Sequence, residues 1–500
     1  MQSYDFQLKK TSLRMLILCI FRKRLLYLPV IFILNKMYTN KQYNIKPFLL
    51  VIGLFISAIS LNAGESYCFR IYLKDKGVME KAVESPEVFL SQESIDRRNK
   101  RNVEITLSDV PIPLSSIETI LATGCRLVMQ SKWLSTIVVE SEDSLLIDQI
   151  KSLPAVDSVL CVWHGTNRLQ ADYCADDNSI PEPTGTKMPN EYGYAEQQIE
   201  MLNGIRLHTM VRRGQGMRVA VIDAGFLNVD RISAFSSLQL LGTHNIVFPG
   251  HSVFCGDSHG AKVLSCMAAN LPGLMIGTAP EASYLLIKSE DIRTEFPIEE
   301  DYWAAALEYA DSVGVDVVTS SLGYYEFDDS TNNYSLSDLD GRTAFVTQVA
   351  EIAAEKGMLL FCSAGNEGSK EWGNITFPSD APNILTVGSI TTDNERSTFS
   401  STGFTADFRV KPDVVALGSG TTVIGASGNI QYAYGTSFAT PIVAGLGVCL
   451  WQSLPWLTNK EIIELIRQTA SQTNRPDVEK GYGIPDIYKA YLRGLNESVQ

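Results

Sequence analysis

Histidine and basic residues are scarce in this sequence, and two motifs for metal binding are missing. Five histidines occur in 500 residues, none of them after position 259, and the HExxH motif is absent. The nine cysteines form no CxxC pair and no spacing typical of zinc sites. The spacing of His251, Asp257 and His259 gives only weak support for a metal site formed by these three residues.

Basic residues are outnumbered, with 42 Lys and Arg against 56 Asp and Glu and a net charge of −14. Nine of the basic residues and only one acidic residue fall within positions 1–60, so the rest of the chain is still more acidic than this total. Such a surface repels phosphate backbones, which excludes nucleic acid as a partner.

Long apolar runs are confined to the first 63 residues. The segments 25–34 and 47–63 are apolar, and the second follows Lys41 and Lys46 and ends on small residues, as a signal peptide does. We therefore expect residues 1–63 to be a leader, with Met37 as a candidate true start codon and export as its consequence. The alternative is a retained membrane anchor, although Pro29 and the charges divide the region into short pieces.

The composition, with 45% hydrophobic and 20% charged residues, supports a full-sized core and a second, smaller domain. Cys266, Cys362 and Cys449 lie within apolar runs, which favours buried free thiols over disulfides.

Residues 67–162 predict a β-α-β-β-α-β order, the arrangement of small ferredoxin-like α+β domains. The expected strands are 67–73, 126–131, 134–140 and 157–162, and the expected helices are 114–123 and 144–152. We assign residues 64–164 to this domain. The polar, proline-containing segment 165–190 predicts an exposed linker, the kind of segment that proteases cut.

From residue 191 to 500, short apolar strands alternate with helices. The expected strands are 217–223, 283–289, 315–321, 358–363 and 384–390, and helices are expected at 301–313 and 342–357. Strands that are apolar on both faces predict an α/β fold with a mostly parallel sheet covered by helices on both sides. Active groups in such a sheet gather at the carboxyl ends of its strands.

Two candidate catalytic residues lie in the first half of this domain. Asp223 ends a predicted strand, where it could orient a histidine. An aspartate is also common in the turn that ends a strand, and that is the alternative role. His259 begins a predicted helix of small and apolar residues, and it could equally be a surface histidine at a helix start.

Two further candidates follow. Ser437 lies in GTSFATPIVAG (435–445), where an N-cap role would not explain the small residues behind it. Asn366 lies in LLFCSAGNEG (359–368), where its amide could donate to an oxyanion or serve only as a turn residue. Because no histidine follows residue 259, the α/β-hydrolase order of Ser, acid and His cannot use Ser437.

Taken together, these four segments resemble the subtilisin-like serine peptidases (S8 type), which use the order Asp, His, Ser. The resemblance covers about residues 191–490 and is nearest to secreted Bacteroidetes-type members. It implies the subtilisin-like three-layer α/β fold and a catalytic triad of Asp223, His259 and Ser437. It also implies an oxyanion hole formed by Asn366 and the backbone N–H of Ser437.

The resemblance further implies two substrate-binding walls, formed by Ser321, Leu322 and Gly323 and by Ser363, Ala364 and Gly365. Tyr324 stands where many members have a second glycine, and we expect it at the rim of the specificity pocket, so P1 preference is not carried over. The resemblance implies no required cofactor. Calcium stays unassigned, because the loops that bind calcium in the family cannot be matched residue by residue to this sequence.

Residues 64–164 stand where the family has its propeptide, with SKWL (131–134) as the most recognisable piece. The resemblance implies an exported enzyme, secreted, periplasmic or bound to the cell envelope. It would act as a monomer on protein or peptide substrates, and its own propeptide would inhibit it until cleavage between 163 and 192. The alternatives are a permanent accessory domain, a membrane-tethered peptidase and a peptide-binding protein on a degenerate protease fold. The last would be marked by a lost triad residue, and none is lost.

Overall fold

The computed structural model describes residues 65–77, 80–166, 168 and 185–497, which belong to one compact unit. The predicted leader and most of the predicted linker lie outside these residues. We refer to residues 65–166 as the N-terminal domain and to residues 185–497 as the C-terminal domain. None of the described helices combines the length and apolarity needed to cross a bilayer.

The N-terminal domain contains a four-stranded antiparallel sheet with helices between its strands. Its strands are β1 (Ser66–Leu73), β2 (Arg126–Ser131), β3 (Thr136–Ser141) and β4 (Val156–Gly165). Its helices are α1 (Gln92–Lys100), α2 (Leu114–Leu121) and α3 (Leu146–Lys151). The strand order β2-β3-β1-β4 confirms the ferredoxin-like arrangement. Helix α1 was not predicted.

The C-terminal domain is built on a seven-stranded sheet whose neighbouring strands all pair in parallel. Its order is β13-β12-β11-β10-β5-β9-β6. The strands are β5 (Arg218–Asp223), β6 (Gln239–Asn245), β7 (Asn270–Leu271), β8 (Met275–Ile276), β9 (Ser283–Lys288), β10 (Val317–Ser320), β11 (Leu359–Ser363), β12 (Leu385–Ile390), β13 (Val414–Leu417), β14 (Ser419–Ile424) and β15 (Ile430–Tyr434). The pairs β7–β8 and β14–β15 are separate two-stranded ribbons.

Helices cover both faces of the seven-stranded sheet. They are α4 (Glu196–Glu200), α5 (Gly204–Thr209), α6 (His259–Ala268), α7 (Ile298–Val313), α8 (Phe345–Glu355), α9 (Thr436–Ser453), α10 (Asn459–Gln468) and α11 (Ile487–Glu497). Side chains alternate between two cores along β5, with Val219 and Val221 in one core and Ala220 and Ile222 in the other. The first core contains α6 and α9, and the second contains α7 and α8. This confirms the predicted three-layer α/β fold.

The sheet of the N-terminal domain also has two buried faces. Phe69 and Val139 pack into the domain's own core, beneath α2 and α3. Cys68, Val138 and Trp163 instead share a core with α7 of the C-terminal domain. The two domains are therefore joined by continuous apolar packing.

The structure also tests the predictions for cysteine. Cys266, Cys362 and Cys449 are buried free thiols, as expected. Burial raises the pKa of the Cys362 thiol to about 12. Cys255, for which no state was predicted, is disulfide-bonded.

Candidate active site

The candidate residues meet at the carboxyl edge of the seven-stranded sheet. Asp223 is the last residue of β5, Ser321 follows β10, and Asn366 lies three residues beyond β11. The strands β5, β10 and β11 are direct neighbours, so their ends lie side by side. Helix α9 begins at the same edge, because the Ser321 hydroxyl donates to the Ser437 carbonyl over 2.8 Å.

Asp223 and His259 form a charge-assisted hydrogen bond. The His259 Nδ1 atom lies 2.7 Å from the Asp223 Oδ1 atom. Asp223 is fully buried, whereas about a third of the His259 side chain (32%) is exposed. The Ala224 backbone N–H donates to the same oxygen over 2.8 Å, so Oδ1 is held as an acceptor. The carboxylate therefore favours the tautomer in which His259 carries its proton on Nδ1 and has Nε2 free to accept one.

The close approach of α6 to β5 depends on a residue without a side chain. A Cβ atom at Gly260 would lie 2.5 Å from the Gly225 carbonyl oxygen and 2.8 Å from the Asp223 Cβ atom. Any larger residue would therefore push His259 away from its partner. This contact gives Gly260 a role that the sequence pattern did not reveal.

The pKa of His259 is raised above its ordinary value of 6.5. Burial alone would lower this pKa, but the charge and the hydrogen bond of Asp223 outweigh it, with a further contribution from Asp257. The Asp257 side chain also accepts a hydrogen bond of 2.5 Å from the His259 backbone N–H. Within the described residues, no three His, Cys, Asp or Glu side chains are grouped as metal ligands.

Ser437 lies in the first turn of α9 and is nearly buried, with 6% exposed. The preceding Gly435 has φ of +154°, a conformation rarely adopted by residues with a side chain, and it turns the chain from β15 into the helix. The ring of Phe438, the next residue, lies 5.6 Å from the His259 ring between centroids. The His259 imidazole therefore lies against the turn that carries Ser437.

Asn366 is tied to the same turn through its side-chain oxygen. The Oδ1 atom accepts from the Thr436 backbone N–H over 2.9 Å and from the Thr436 hydroxyl over 3.1 Å. With the oxygen held in this way, the Nδ2 group is directed towards Gly435, where an added Cβ would lie 3.7 Å from it. The Thr436 and Phe438 backbone N–H groups already donate to Asn366 Oδ1 and to the Gly435 carbonyl, so the Ser437 N–H is the donor that this turn adds beside the amide. Thr436, which orients the amide, was not singled out from the sequence.

The two predicted substrate-binding walls converge on Thr376. A Cβ atom at Gly323 would lie 2.1 Å from the Thr376 Oγ1 atom, and one at Gly365 would lie 2.9 Å from the Thr376 Cγ2 atom. Gly365 also has a φ of +102°, which favours glycine. The Thr376 N–H donates to the Ala364 carbonyl over 3.1 Å. Both walls are thus backbone segments that approach closely because glycine leaves room.

The prediction for Tyr324 was wrong. Its side chain is not at a pocket rim but is buried, with 1% exposed, and its hydroxyl donates to Glu290 Oε1 over 2.5 Å. Glu290 follows β9 and is itself nearly buried, and desolvation raises the pKa of its carboxyl well above the usual range. The hydrogen bond to Glu290 holds the Tyr324 ring inside the protein. Glu290 is 34 residues upstream, so the local sequence around Tyr324 gives no indication of this contact.

Comparison with known proteins shows two family matches. The family model "Subtilase family" matches residues 214–484, and the model "Peptidase S8 propeptide domain, Bacteroidota" matches residues 68–175.

Individual relatives match the same part of the chain. Subtilisin E of Bacillus subtilis (strain 168) is 29% identical over 277 residues, which covers 55% of this chain and 65% of that protein. Subtilisin of Bacillus pumilus is 28% identical over 277 residues, covering 55% of this chain and 90% of the relative. Subtilisin Savinase of Lederbergia lenta is 27% identical over 275 residues, covering 53% of this chain and 87% of the relative. The chain thus spans less than two thirds of the length of subtilisin E.

Proposed function

The chain belongs to the subtilase family, and we propose that it is an exported serine endopeptidase, made as a zymogen, that cuts peptide bonds with Asp223, His259 and Ser437. The observation that carries this proposal is the 2.7 Å pair of Asp223 and His259 beside the first turn of α9, which bears Ser437.

In this mechanism His259 is the general base. Its Nε2 atom takes the proton from the Ser437 hydroxyl while the serine oxygen forms a bond to the carbonyl carbon of the substrate. The imidazolium then gives this proton to the leaving amine as the C–N bond breaks, which leaves an acyl-enzyme. A water molecule hydrolyses the ester by the same proton transfers in reverse. Asp223 stabilises the imidazolium through the hydrogen bond to Nδ1.

The oxyanion of each tetrahedral intermediate would be bound by two donors, the Asn366 Nδ2 group and the Ser437 backbone N–H. The support for this role is that Thr436 fixes the amide before any substrate arrives. A donor held in this way needs no reorganisation when the negative charge develops, which is the basis of oxyanion-hole catalysis.

We propose that the substrate binds as an extended strand along Ser321, Leu322 and Gly323, with its P1 side chain between this wall and Ser363, Ala364 and Gly365. Support comes from the glycines in both walls, which let the two backbone segments approach Thr376 closely, and from the Ser321 hydrogen bond to Ser437. The substrate class is therefore protein or peptide, and recognition relies largely on main-chain contacts.

The N-terminal domain would be the chain's own inhibitor. Its match to a propeptide domain and its shared core with α7 support this role. We propose that the enzyme cuts its own chain between residues 163 and 192 and acts afterwards as a monomer.

The test uses the chain from residue 64 to 500 as wild type, Ser437→Ala and Ser453→Ala. Ser453 is a matched control because it is a buried serine in the same helix, and its hydroxyl only donates to the Cys449 carbonyl. Intact masses and new N-termini are measured after incubation. We expect the wild type and Ser453→Ala to be cut between 163 and 192 and Ser437→Ala to stay whole.

Identical cutting of all three chains would point to a foreign protease and remove the support for self-processing. If none is cut and the wild type also fails to react with a serine-directed phosphonate, a peptide-binding protein on this fold becomes the better explanation.

A further inference from the structure

The side chain of Thr376 lies between the two segments that we propose as substrate-binding walls. We call residues 321–323 the first wall and residues 363–365 the second wall. The first wall directly follows β10, and the second begins at the last residue of β11. These two strands pair in parallel, with Ser320 opposite Cys362. Both walls therefore leave the sheet side by side at its carboxyl edge, where open α/β sheets bind their ligands.

The threonine contacts the last glycine of each wall. Its side chain branches at Cβ into Oγ1 and Cγ2. A Cβ atom added to Gly323 would lie 2.1 Å from Oγ1, and one added to Gly365 would lie 2.9 Å from Cγ2 and 3.0 Å from Oγ1. A single small side chain thus touches both walls, and it fills the space between them at the level of these two glycines.

Backbone hydrogen bonds hold Thr376 in this position from both sides. The Thr376 N–H donates to the Ala364 carbonyl of the second wall over 3.1 Å. The next residue, Phe377, exchanges two hydrogen bonds of 2.9 and 3.0 Å with Tyr324, which directly follows the first wall. Because threonine is branched at Cβ, its χ1 rotation is restricted as well. The side chain therefore cannot move aside unless these backbone contacts break.

The Thr376 hydroxyl is buried and makes no hydrogen bond within the part of the chain that the structure describes. The side chain thus acts at this position through its shape and not through a hydrogen bond. Valine has the same shape without the hydroxyl, and removing an unpaired buried hydroxyl sacrifices no hydrogen bond. Thr376→Val is therefore a matched control for any variant that changes the size of this side chain.

The space between the walls is accessible from outside but shallow. Gly323 is exposed, so a substrate can reach the outer side of the first wall. Thr376 beneath it is only 3% exposed. A P1 side chain that enters between the walls therefore meets the threonine branches and the two glycines as the floor of its pocket.

We propose that Thr376 determines P1 specificity by closing the pocket between the two walls, which restricts the peptidase to bonds that follow glycine, alanine or serine. This proposal rests on the proposed function, in which the P1 side chain lies between these walls. Thr376 is a specificity-determining residue and touches no reacting atom. A larger P1 side chain has to displace the threonine or tilt the substrate away from Ser437, and either change lowers kcat/KM.

The experiment uses processed enzyme from the chain 64–500 as wild type, Thr376→Gly and Thr376→Val. Cleavage sites in an unfolded protein are identified by mass spectrometry, and kcat/KM is measured for two peptides that differ only in Ala or Phe at P1. Ser437→Ala in equal amount identifies cuts made by a foreign protease.

We expect the wild type and Thr376→Val to prefer the Ala peptide at least about tenfold, since each methylene that a pocket cannot accommodate costs about that factor or more. Thr376→Gly should raise kcat/KM for the Phe peptide at least about tenfold and change that for the Ala peptide by less than about threefold. If Thr376→Gly does not fold, as judged by circular dichroism, Thr376→Ala takes its place, because it also removes Oγ1 and Cγ2. The same gain is then expected for a peptide with Leu at P1.

Equal kcat/KM values of the wild type for the two peptides would overturn the proposal. An unchanged preference in Thr376→Gly, or a gain in Thr376→Val as large as that in Thr376→Gly, would do the same. Failure of the proposed function is distinguishable, because its mark is a set of cuts that persists in Ser437→Ala. Cuts after large residues that depend on Ser437 instead contradict only the role of Thr376.

Discussion

Replacing Asp223 by asparagine tests the central pair of the proposed triad. The shape of the side chain is retained and its charge is lost. The Ala224 N–H, 2.8 Å from Oδ1, still requires an acceptor at that position, so it favours the amide orientation that keeps the oxygen towards His259. The variant therefore removes mainly the negative charge that stabilises the imidazolium.

The size of the effect follows from the 2.7 Å separation of His259 Nδ1 and Asp223 Oδ1. At an effective dielectric constant of about 20, two unit charges at that distance attract by about 6 kcal/mol. Solvent reaches part of the imidazole, and this reduces the value to about 4 to 6 kcal/mol. We therefore expect kcat to fall by about 10³ to 10⁴.

The variant also changes the dependence on pH. The general base must be unprotonated, so activity rises with pH through the pKa of His259. Since this pKa is raised, the acid limb of the wild type should lie above pH 6.5. Without the Asp223 charge, burial dominates and lowers the pKa, so the acid limb of Asp223→Asn should move to lower pH.

The assay is kcat/KM for a chromogenic peptide against pH, measured on processed enzyme, with unfolding followed by circular dichroism. Asp257→Asn is the matched control, because Asp257 interacts with the His259 backbone N–H and contributes less to its pKa. We expect this control to retain most of the activity. A loss of less than tenfold in Asp223→Asn, or an acid limb that does not move, would refute the reasoning.

Three further predictions concern single contacts. Asn366→Ala should lower kcat by about 10² to 10³ with little change in KM, measured by steady-state kinetics, because one oxyanion donor is lost. Gly260→Ala should lower kcat about a hundredfold, since its Cβ would meet the Gly225 oxygen at 2.5 Å and shift His259; the displaced His259 Nδ1 proton should be visible by NMR. Glu308→Gln should weaken attachment of the cut N-terminal domain by about a hundredfold in native mass spectrometry, because the Ser131 hydroxyl and two backbone N–H groups lose a charged acceptor.

Five of the six sheet strands that are buried on both faces were predicted from the sequence, and β13 (Val414–Leu417) was missed. The run 217–223 corresponds to β5 at Arg218–Asp223, and 358–363 corresponds to β11 at Leu359–Ser363. Such runs stand out because their central residues, which face both layers of helices, are apolar or small. The edge strand β6 was missed, since only one of its seven residues is buried and polar residues interrupt the run.

Features that depend on a distant partner could not be predicted. Helix α1 lacks an apolar stripe because it docks through Arg97 and Arg98, and their partner Asp311 is more than 200 residues away. Tyr324 was expected at the rim of the specificity pocket because it stands where many family members have a glycine, and its hydrogen bond to Glu290 leaves no signal in the local sequence. The chain order of Asp223, His259 and Ser437 indicated a triad. The hydrogen bond by which Thr436 orients the Asn366 amide joins residues 70 positions apart, so only the structure reveals it.

The placement of the N-terminal domain bears on how the parallel sheet assembles. Strand β5 pairs with β9 and β10, which lie about 65 and 100 residues further along the chain. Each pairing closes a long loop, and the entropy cost of closing it precedes the stabilising contacts between the strands. The N-terminal domain contacts α7, the start of β10 and the end of α8 at once, through Glu308, Asp316 and Lys356. We expect that binding these segments together shortens the search for the central strand order. The contacts that attach the N-terminal domain, such as those of Glu308 and Asp316, would therefore also assist folding, and weakening them should slow it.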